Sequence, residues 1–319
     1  MNLYSVFGSC LASSEPFPEL RPASGVTPRW TFTTTPELEP ARDLAELGAE
    51  HIYGDVHARL YRHANGHRIV VDDTGVFDVS ADCRAIRWQV KADAWTDFVR
   101  AHLLGRVLAT SMYLQGHLPL HGSAVAFGTD VVAFLAPKGY GKSSLALALT
   151  GRGGRLVTDD TLAVELTTPP MAWPGVHAVR VKTDSIAASG QTHVGVVTRE
   201  GKTLITDLPD AALMQSPAPL RAVYLLEPVL AEGTAGIPTR RLLPQTLGAL
   251  SVVAHVKVAG MLGALAAPVL LDRSVTLART VPVYRLTTPR DLDALSSVAA
   301  AVAAWHTEPE TGNRVSPQC

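Results

Sequence analysis

An apolar segment that runs into a glycine-containing loop and then a helix constrains this chain more than any other feature. Residues 131–144 read VVAFLAPKGYGKSS. Gly139 and Gly141 let the backbone turn tightly enough for several N–H groups to surround a phosphate chain. Lys142 adds a mobile positive charge, and the Ser143 hydroxyl suits Mg²⁺. The pattern predicts a phosphate-binding loop between a strand and a helix whose positive end faces the same phosphates.

The loop departs from the strict pattern at its first position, where Ala136 replaces glycine. The competing interpretation is an ordinary glycine turn between a strand and a helix. The complete order of strand, loop, Gly-Lys-Ser and helix favours nucleotide binding over that interpretation. The residues predicted to bind the triphosphate are Ala136, Pro137, Lys138, Gly139, Tyr140, Gly141, Lys142, Ser143 and Ser144.

Two adjacent carboxylates follow the loop at short range. Asp159 and Asp160 come at the end of a strand predicted for Arg155 to Val157, and Asp159 lies 17 residues after Lys142. Neighbouring parallel strands place their C-terminal ends at one edge of a sheet, where ligands bind. One carboxylate can therefore meet Mg²⁺ beside Ser143, while the other accepts the proton of an attacking hydroxyl. A turn or a helix cap is the alternative interpretation of the pair.

Other polar residues are weaker candidates. His121 precedes the predicted sheet, and a lone histidine is more often structural than catalytic. Arg180 and Lys182 alternate with apolar residues, which fits a strand with a charged outer face as well as contacts to the γ-phosphate or an acidic substrate. A polar stretch at 196–200 is predicted to be a mobile loop near the site. The remaining basic residues have two interpretations: they lie on solvated faces, or they contact the substrate. These residues are Arg240, Arg241, His255 and Lys257.

The hydrophobic periodicity predicts an α/β chain in four parts. Residues 1–92 are predicted to form a small β-rich domain with an antiparallel sheet, because short strands are joined by turns such as Asn65-Gly66. Residues 93–117 change to helical spacing and are predicted to form a linking helix. Residues 118–305 are predicted to form the phosphate-loop domain, a mixed sheet flanked by helices. Residues 306–319 are polar and are predicted to be a flexible tail.

Composition narrows the class of partner. Apolar residues make up 47% of the chain and the formal net charge is −1, so neither nucleic acid nor a membrane surface is expected as a partner. Three cysteines show no pairing pattern, and no basic segment followed by an apolar stretch opens the chain, which together predict a cytoplasmic protein. The longest apolar run, 258–271, is too short to span a bilayer.

The order of three motifs resembles the HPr kinase/phosphorylase superfamily. These are His121-Gly122, the loop at 136–143, and the segment Gly154-Arg155-Leu156-Val157-Thr158-Asp159-Asp160. The whole layout is similar to HPr-kinase-like proteins encoded beside peptide natural-product genes (RiPP biosynthesis), which include kinases of lasso precursor peptides. The likeness is strong at 118–165 and weak elsewhere.

The resemblance implies a kinase with ATP and Mg²⁺ as cofactors. It implies that Asp159 is the general base, that Ser143 and Asp160 serve the metal, and that His121 and Lys142 lie at the transferred phosphate. The implied substrate is a serine hydroxyl on a peptide or small protein. No glutamate-bearing match to the HPr-kinase signature occurs at 173–182, which does not favour HPr itself as substrate.

Two alternatives stay open at the level of sequence. One is a kinase of a small-molecule hydroxyl on an amino acid, sugar or antibiotic, and the other is a nucleotide-sensing module without transfer. Related kinases are often oligomers, so a homo-oligomer is also an option.

Overall fold

The computed structural model describes residues 1–229 and 237–307. The strands are β1 (Asn2–Val6), β2 (Ser9–Ser13), β3 (Arg21–Pro22), β4 (Trp30–Thr35), β5 (Ala45–Tyr53), β6 (Val56–His63), β7 (Gly66–Val71), β8 (Gly75–Ser80), β9 (Ala85–Val90), β10 (Leu118–Phe127), β11 (Asp130–Leu135), β12 (Arg155–Thr158), β13 (Thr161–Glu165), β14 (Met171–Trp173), β15 (Val179–Val181), β16 (Gly195–Val197), β17 (Thr203–Ile205), β18 (Ala218–Val229), β19 (Thr239–Leu242) and β20 (Val283–Pro289). The α-helices are α1 (Thr96–His102), α2 (Leu108–Leu114), α3 (Lys142–Thr150), α4 (Thr183–Ala188), α5 (Gln245–Val253), α6 (Ala259–Leu262), α7 (Ala267–Thr280) and α8 (Leu295–Thr307).

The first nine strands form one sheet, in the order β3-β1-β2-β4-β9-β8-β7-β6-β5. The predicted hairpin is confirmed: β6 and β7 are antiparallel, and His63 lies opposite Gly66, which has a positive φ. The prediction of an antiparallel sheet is wrong in one respect, because β4 runs parallel to both β2 and β9. Strand direction there depends on where the chain returns after long connections, which local alternation does not encode.

The second sheet contains strands in the order β12-β10-β11-β18-β20-β19, with β13 and β14 joining the first part of β10 to the start of β18. Strands β11, β18 and β20 are parallel, whereas β10 is antiparallel to its neighbours. The predicted mixed sheet flanked by helices is thus present. The assumption that β11 and β12 are neighbours is wrong, because β10 lies between them. Both are antiparallel to β10, so their C-terminal ends still meet at one edge.

The linking helix has a wider turn in its middle. Residues Thr96–Leu114 are helical throughout, with a π-helical turn at Leu103–Val107 between α1 and α2. One cluster of buried apolar side chains extends from the first sheet through this helix to one face of the second sheet. A second cluster lies between the other face, α3 and α8. The domain boundaries near residues 92 and 117 therefore remain a prediction across a continuous core.

A third, three-stranded sheet has the order β15-β17-β16. The stretch at 196–200, predicted to be a loop, lies partly in β16 and partly in the turn to β17. Part of the predicted tail, up to Thr307, belongs to α8, and residues 308–319 lie outside the described residues. Within the described ranges, none of the helices combines the length and the apolar character needed to cross a bilayer.

Candidate functional site

The phosphate loop connects β11 to α3 as predicted. Gly139 and Gly141 have φ values of 90° and 87°, and no atom lies within 4 Å of a Cβ built on either residue. Glycine is therefore favoured at these two positions for backbone conformation, since space is not limiting there. Ala136 is buried in the apolar cluster beneath α3. Its methyl group packs in the core, so the departure from glycine leaves the exposed part of the loop unchanged.

Lys142 is buried at the first turn of α3. Its ammonium donates hydrogen bonds to the carbonyl oxygens of Ala136, at 2.7 Å, and Pro137, at 3.1 Å. Desolvation by burial lowers the pKa of Lys142 to about 8, although the charges of Asp159 and Asp160 work in the opposite direction. The ammonium is thus poorly compensated in the free protein, and an anion in the loop would supply the missing charge.

Asp159 lies behind the loop and is 6% exposed. Its Oδ1 accepts hydrogen bonds from the hydroxyls of Ser143, at 2.8 Å, and Ser123, at 2.6 Å. Its Oδ2 accepts the backbone N–H of Arg180 at 3.1 Å. The structure therefore brings Asp159 to the serine predicted to bind the metal. Ser123 was missed by the sequence analysis, because a serine within a buried strand carries no distinguishing pattern.

Asp160 occupies a different environment although it is the next residue. Its φ is 75°, and its side chain is 46% exposed. Both carboxylate oxygens lie 2.8 Å from the ammonium of Lys257, and Oδ1 lies 3.3 Å from Nδ1 of His121. Desolvation favours a raised pKa, but the charge of Lys257 and the hydrogen bond with His121 outweigh it and hold the pKa of Asp160 well below its usual range. A left-handed aspartate held by a cation and an imidazole is typical of a functional site.

Lys257 is the main residue that the sequence analysis failed to place. Its side chain is 9% exposed, its ammonium lies 3.2 Å from Nδ1 of His121, and its backbone N–H donates to the carbonyl of Pro119. The loop after α5 carries Lys257, and the N–H of His121 donates to the carbonyl of His255 in that loop. Lys257 is separated from Asp160 by 97 positions, so no local spacing could have linked the two.

The π-helical turn supplies another wall of the site. A Cβ built on Gly105 would lie 3.3 Å from Oδ2 of Asp160 and 3.8 Å from Cε of Lys257. π-Helical turns occur frequently at functional sites, because they displace one residue from the regular helix surface. Here the turn brings backbone from the N-terminal half of the chain against the carboxylate.

The two basic residues proposed as phosphate or substrate contacts have different surroundings. Arg180 contributes its backbone to Asp159, and Lys182 is exposed at the start of α4. In the described part of the chain, neither side chain forms a hydrogen bond or an ion pair with a protein group. Their side-chain roles remain predictions.

The donor set fits a metal held mainly by phosphate. The described residues contain no group of three or more His, Cys, Asp or Glu side chains arranged to hold an ion. Mg²⁺ is usually bound through one or two protein oxygens, substrate phosphates and water. Ser143 and the carboxylate that contacts it provide such oxygens.

Substitution of Lys257 by methionine is expected to raise the pKa of Asp160, because the carboxylate loses the neighbouring cation. The group with the lowered pKa contributes stability above its unfolded pKa, and that contribution is lost as the pH falls through the folded pKa. Lys257→Met should therefore also become less stable relative to wild type at neutral pH. Denaturant unfolding measured from pH 4 to 8 tests this, with Lys257→Arg as the control that keeps the cation. If the stability of Lys257→Met follows the same pH dependence as that of wild type, the pairing is contradicted.

The known proteins that match this chain are solved structures. No protein-family model matches the chain, and no curated protein matches it. Among solved structures, the chain is similar to the HPr(Ser) kinase/phosphatase from Coxiella burnetii, at 14% identity with a TM-score of 0.31. That match covers 59% of this chain and 96% of the other.

Proposed function

We propose that this chain is a kinase that uses Mg²⁺ and ATP to phosphorylate a hydroxyl group, in particular a serine of a peptide or small protein. One observation carries the proposal. The Asp159 carboxylate accepts a hydrogen bond from Ser143 of the phosphate loop, while the Asp160 carboxylate beside it is half exposed and held by Lys257 and His121. A protein that only binds a nucleotide needs the contact between Asp159 and Ser143. Phosphoryl transfer also uses an accessible carboxylate, such as that of Asp160.

The loop residues would hold the triphosphate through backbone N–H groups, as the exposed segment 137–141 and the start of α3 permit. When bound, Mg²⁺ and ATP supply the transferable phosphoryl group and part of the charge neutralisation. Lys142 would exchange its two carbonyl partners for phosphate oxygens. Because the ammonium is desolvated, its interaction with phosphate is stronger than at an exposed site.

The geometry favours an exchange of the two carboxylate roles suggested by the resemblance. Asp159 contacts Ser143 and is buried, so we propose that it orients the serine and supports the metal. Asp160 is more exposed, so we propose that it orients the attacking hydroxyl and accepts its proton. Its low pKa is compatible with this role, since transfer through a loose transition state depends mainly on positioning and charge. Lys257 and His121 would hold the carboxylate in place and offset negative charge.

The exchange of roles is testable through the metal requirement. Asp159→Asn is expected to raise the Mg²⁺ concentration needed for half-maximal transfer roughly 10- to 100-fold, the scale of losing a group that orients a metal ligand. Titration of Mg²⁺ at saturating ATP measures this. Ser143→Ala should behave similarly, whereas Lys138→Ala, in the exposed part of the loop, should not. If Asp159→Asn keeps its Mg²⁺ requirement and loses only transfer, Asp159 is the base after all.

Incubation with γ-labelled ATP and candidate acceptors tests the function itself. Label on a serine-containing peptide supports the proposal, and label on a small metabolite identifies the alternative small-molecule kinase. Tight Mg²⁺-dependent ATP binding without label on any acceptor would instead indicate a sensing module. Failure to bind ATP would reject all three.

A further inference from the structure

An uncovered apolar strand edge lies beside the candidate site. β16 is the outer strand of the three-stranded sheet, with β17 on one side only. The valines at and next to this strand are among the most exposed apolar side chains of the described residues: Val194 is 82%, Val196 71% and Val197 68% exposed. The segment 194–197 contains neither a charged residue nor a proline. An edge of this kind is a ready template for pairing with another chain.

Four other strand edges in the described part of the chain are protected. β19 carries Arg240 and Arg241, β3 has two residues and contains Pro22, and β5 is packed against α6. β15 has its outward Arg180 N–H on Asp159. Charges, proline and covering elements are the means by which proteins prevent edge pairing. None of these three protects β16 among the described residues, so this edge is available for pairing.

The hydrogen-bond alternation fixes which groups are free to pair. The N–H of Thr198 donates to the carbonyl of Lys202, so the pair formed by Val197 and Thr203 is of the non-hydrogen-bonded type. The backbone N–H and C=O of Val197, and by the same alternation those of Gly195, point away from β17. At the other edge of the sheet, the N–H of Arg180 points away from β17 and donates to Asp159. This direction agrees with the same alternation of hydrogen-bonded and non-hydrogen-bonded pairs. Gly195 and Val197, which are two positions apart, thus each present an N–H donor and a C=O acceptor to a neighbouring strand.

The edge leads toward the phosphate loop. β16 runs toward a turn in which Glu200 forms an ion pair with Lys138 of the phosphate loop at 3.9 Å. A strand added along β16 would therefore end beside the phosphate loop. The same sheet is attached to Asp159 through β15, so an added strand would be held in a fixed relation to the site.

We propose that the peptide substrate docks as an additional β-strand on β16, with an uncharged, mainly apolar segment paired to Gly195 and Val197 and the acceptor serine beyond that segment, at the loop. This rests on the proposed kinase function and specifies its substrate as an extended peptide. Backbone pairing supplies affinity, and the exposed valines select apolar side chains at alternate positions.

Val197→Pro tests the backbone contact. It removes an N–H that the hairpin does not use, at an edge position where proline is tolerated. The probe is a library of decapeptides, each with one serine and otherwise randomised, labelled with γ-labelled ATP; the best-labelled peptide is then used for kinetics. Val197→Pro is expected to raise the KM for that peptide at least tenfold, with Mg²⁺-dependent ATP binding and thermal unfolding unchanged. Val197→Thr keeps the N–H and is expected to change the KM by less than threefold.

N-methylation of the peptide backbone provides the second measurement. Methyl groups on the backbone nitrogens of every second residue of the apolar segment should abolish labelling when those N–H groups face β16. Methyl groups on the residues in between should leave labelling intact. Equal effects of the two methylation patterns, or an unchanged KM in Val197→Pro, would overturn the proposal. A concentration-dependent dimer that Val197→Pro dissociates would show that β16 pairs with a second copy instead. If ATP binds and only small metabolites are labelled, kinase function stands and peptide docking is rejected.

Discussion

Replacing Asp160 by asparagine is expected to reduce phosphoryl transfer roughly 10²–10⁴-fold, the usual contribution of a positioned general base. ATP affinity in the presence of Mg²⁺ should change by less than about threefold, because the hydroxyl of the loop serine Ser143 donates to Asp159 and not to Asp160. Asparagine is the suitable substitute, since it tolerates the positive φ of this position and keeps an oxygen toward Lys257. Single-turnover rates and ATP binding are the measurements.

The double variant Asp160→Asn/Lys257→Met separates a chemical loss from a structural one. Asp160→Asn alone leaves the nearly buried Lys257 ammonium without its carboxylate, which costs stability. If the low rate came from that defect, the double variant would recover activity along with stability. We expect stability to recover and the rate to stay low. Near wild-type transfer in either variant would show that Asp160 does not act on the hydroxyl.

Lys142→Met is expected to lower kcat about 10²–10³-fold and yet to stabilise the free protein at pH 7. The rate loss follows from removal of the charge that meets the phosphates. The gain in stability follows from the lowered pKa: a shift from 10.5 to about 8 corresponds to roughly 3 kcal/mol against the protonated form. Loss of the two hydrogen bonds to the loop carbonyls offsets part of this, so we expect a net gain of about 1–2 kcal/mol.

The stability difference between Lys142→Met and wild type is expected to change with pH in one direction. Below pH 8 the lysine is protonated in both the folded and unfolded states, and the burial penalty is present in full. Between pH 8 and 10.5 the folded state releases the proton while the unfolded state retains it, so wild-type stability rises relative to the variant. The advantage of Lys142→Met should therefore shrink as the pH rises from 8 to 10. Denaturant unfolding at pH 7 and pH 10 measures it, with the exposed Lys138→Met as control. A variant less stable than wild type at pH 7 would contradict the burial argument.

Local patterns predicted those parts of the molecule that depend on neighbours in sequence. The hairpin at Asn65-Gly66 follows from the conformational freedom of those residues, and α3 follows from apolar helix formers after a glycine turn. The direction of β4 and the insertion of β10 between β11 and β12 were not predicted, because strand order depends on which distant segments bury each other's faces. The sequence suggested Arg180 as a phosphate or substrate contact because of its charged side chain, whereas in the structure its backbone N–H donates to Asp159.

The local sequence is enough to predict that a phosphate loop and an acidic pair lie close together in this chain, because a strand, a turn and a helix bring the end of the following strand back within a short stretch. The difference between the two aspartates arises from packing between distant segments. Asp159 is enclosed by the Ser143 and Ser123 hydroxyls, whereas Asp160 is held by Lys257 and His121 and approached by Gly105. These partners come from separate elements, and burial and charge at a residue depend on everything packed around it, so only the folded chain could assign the two carboxylates different surroundings.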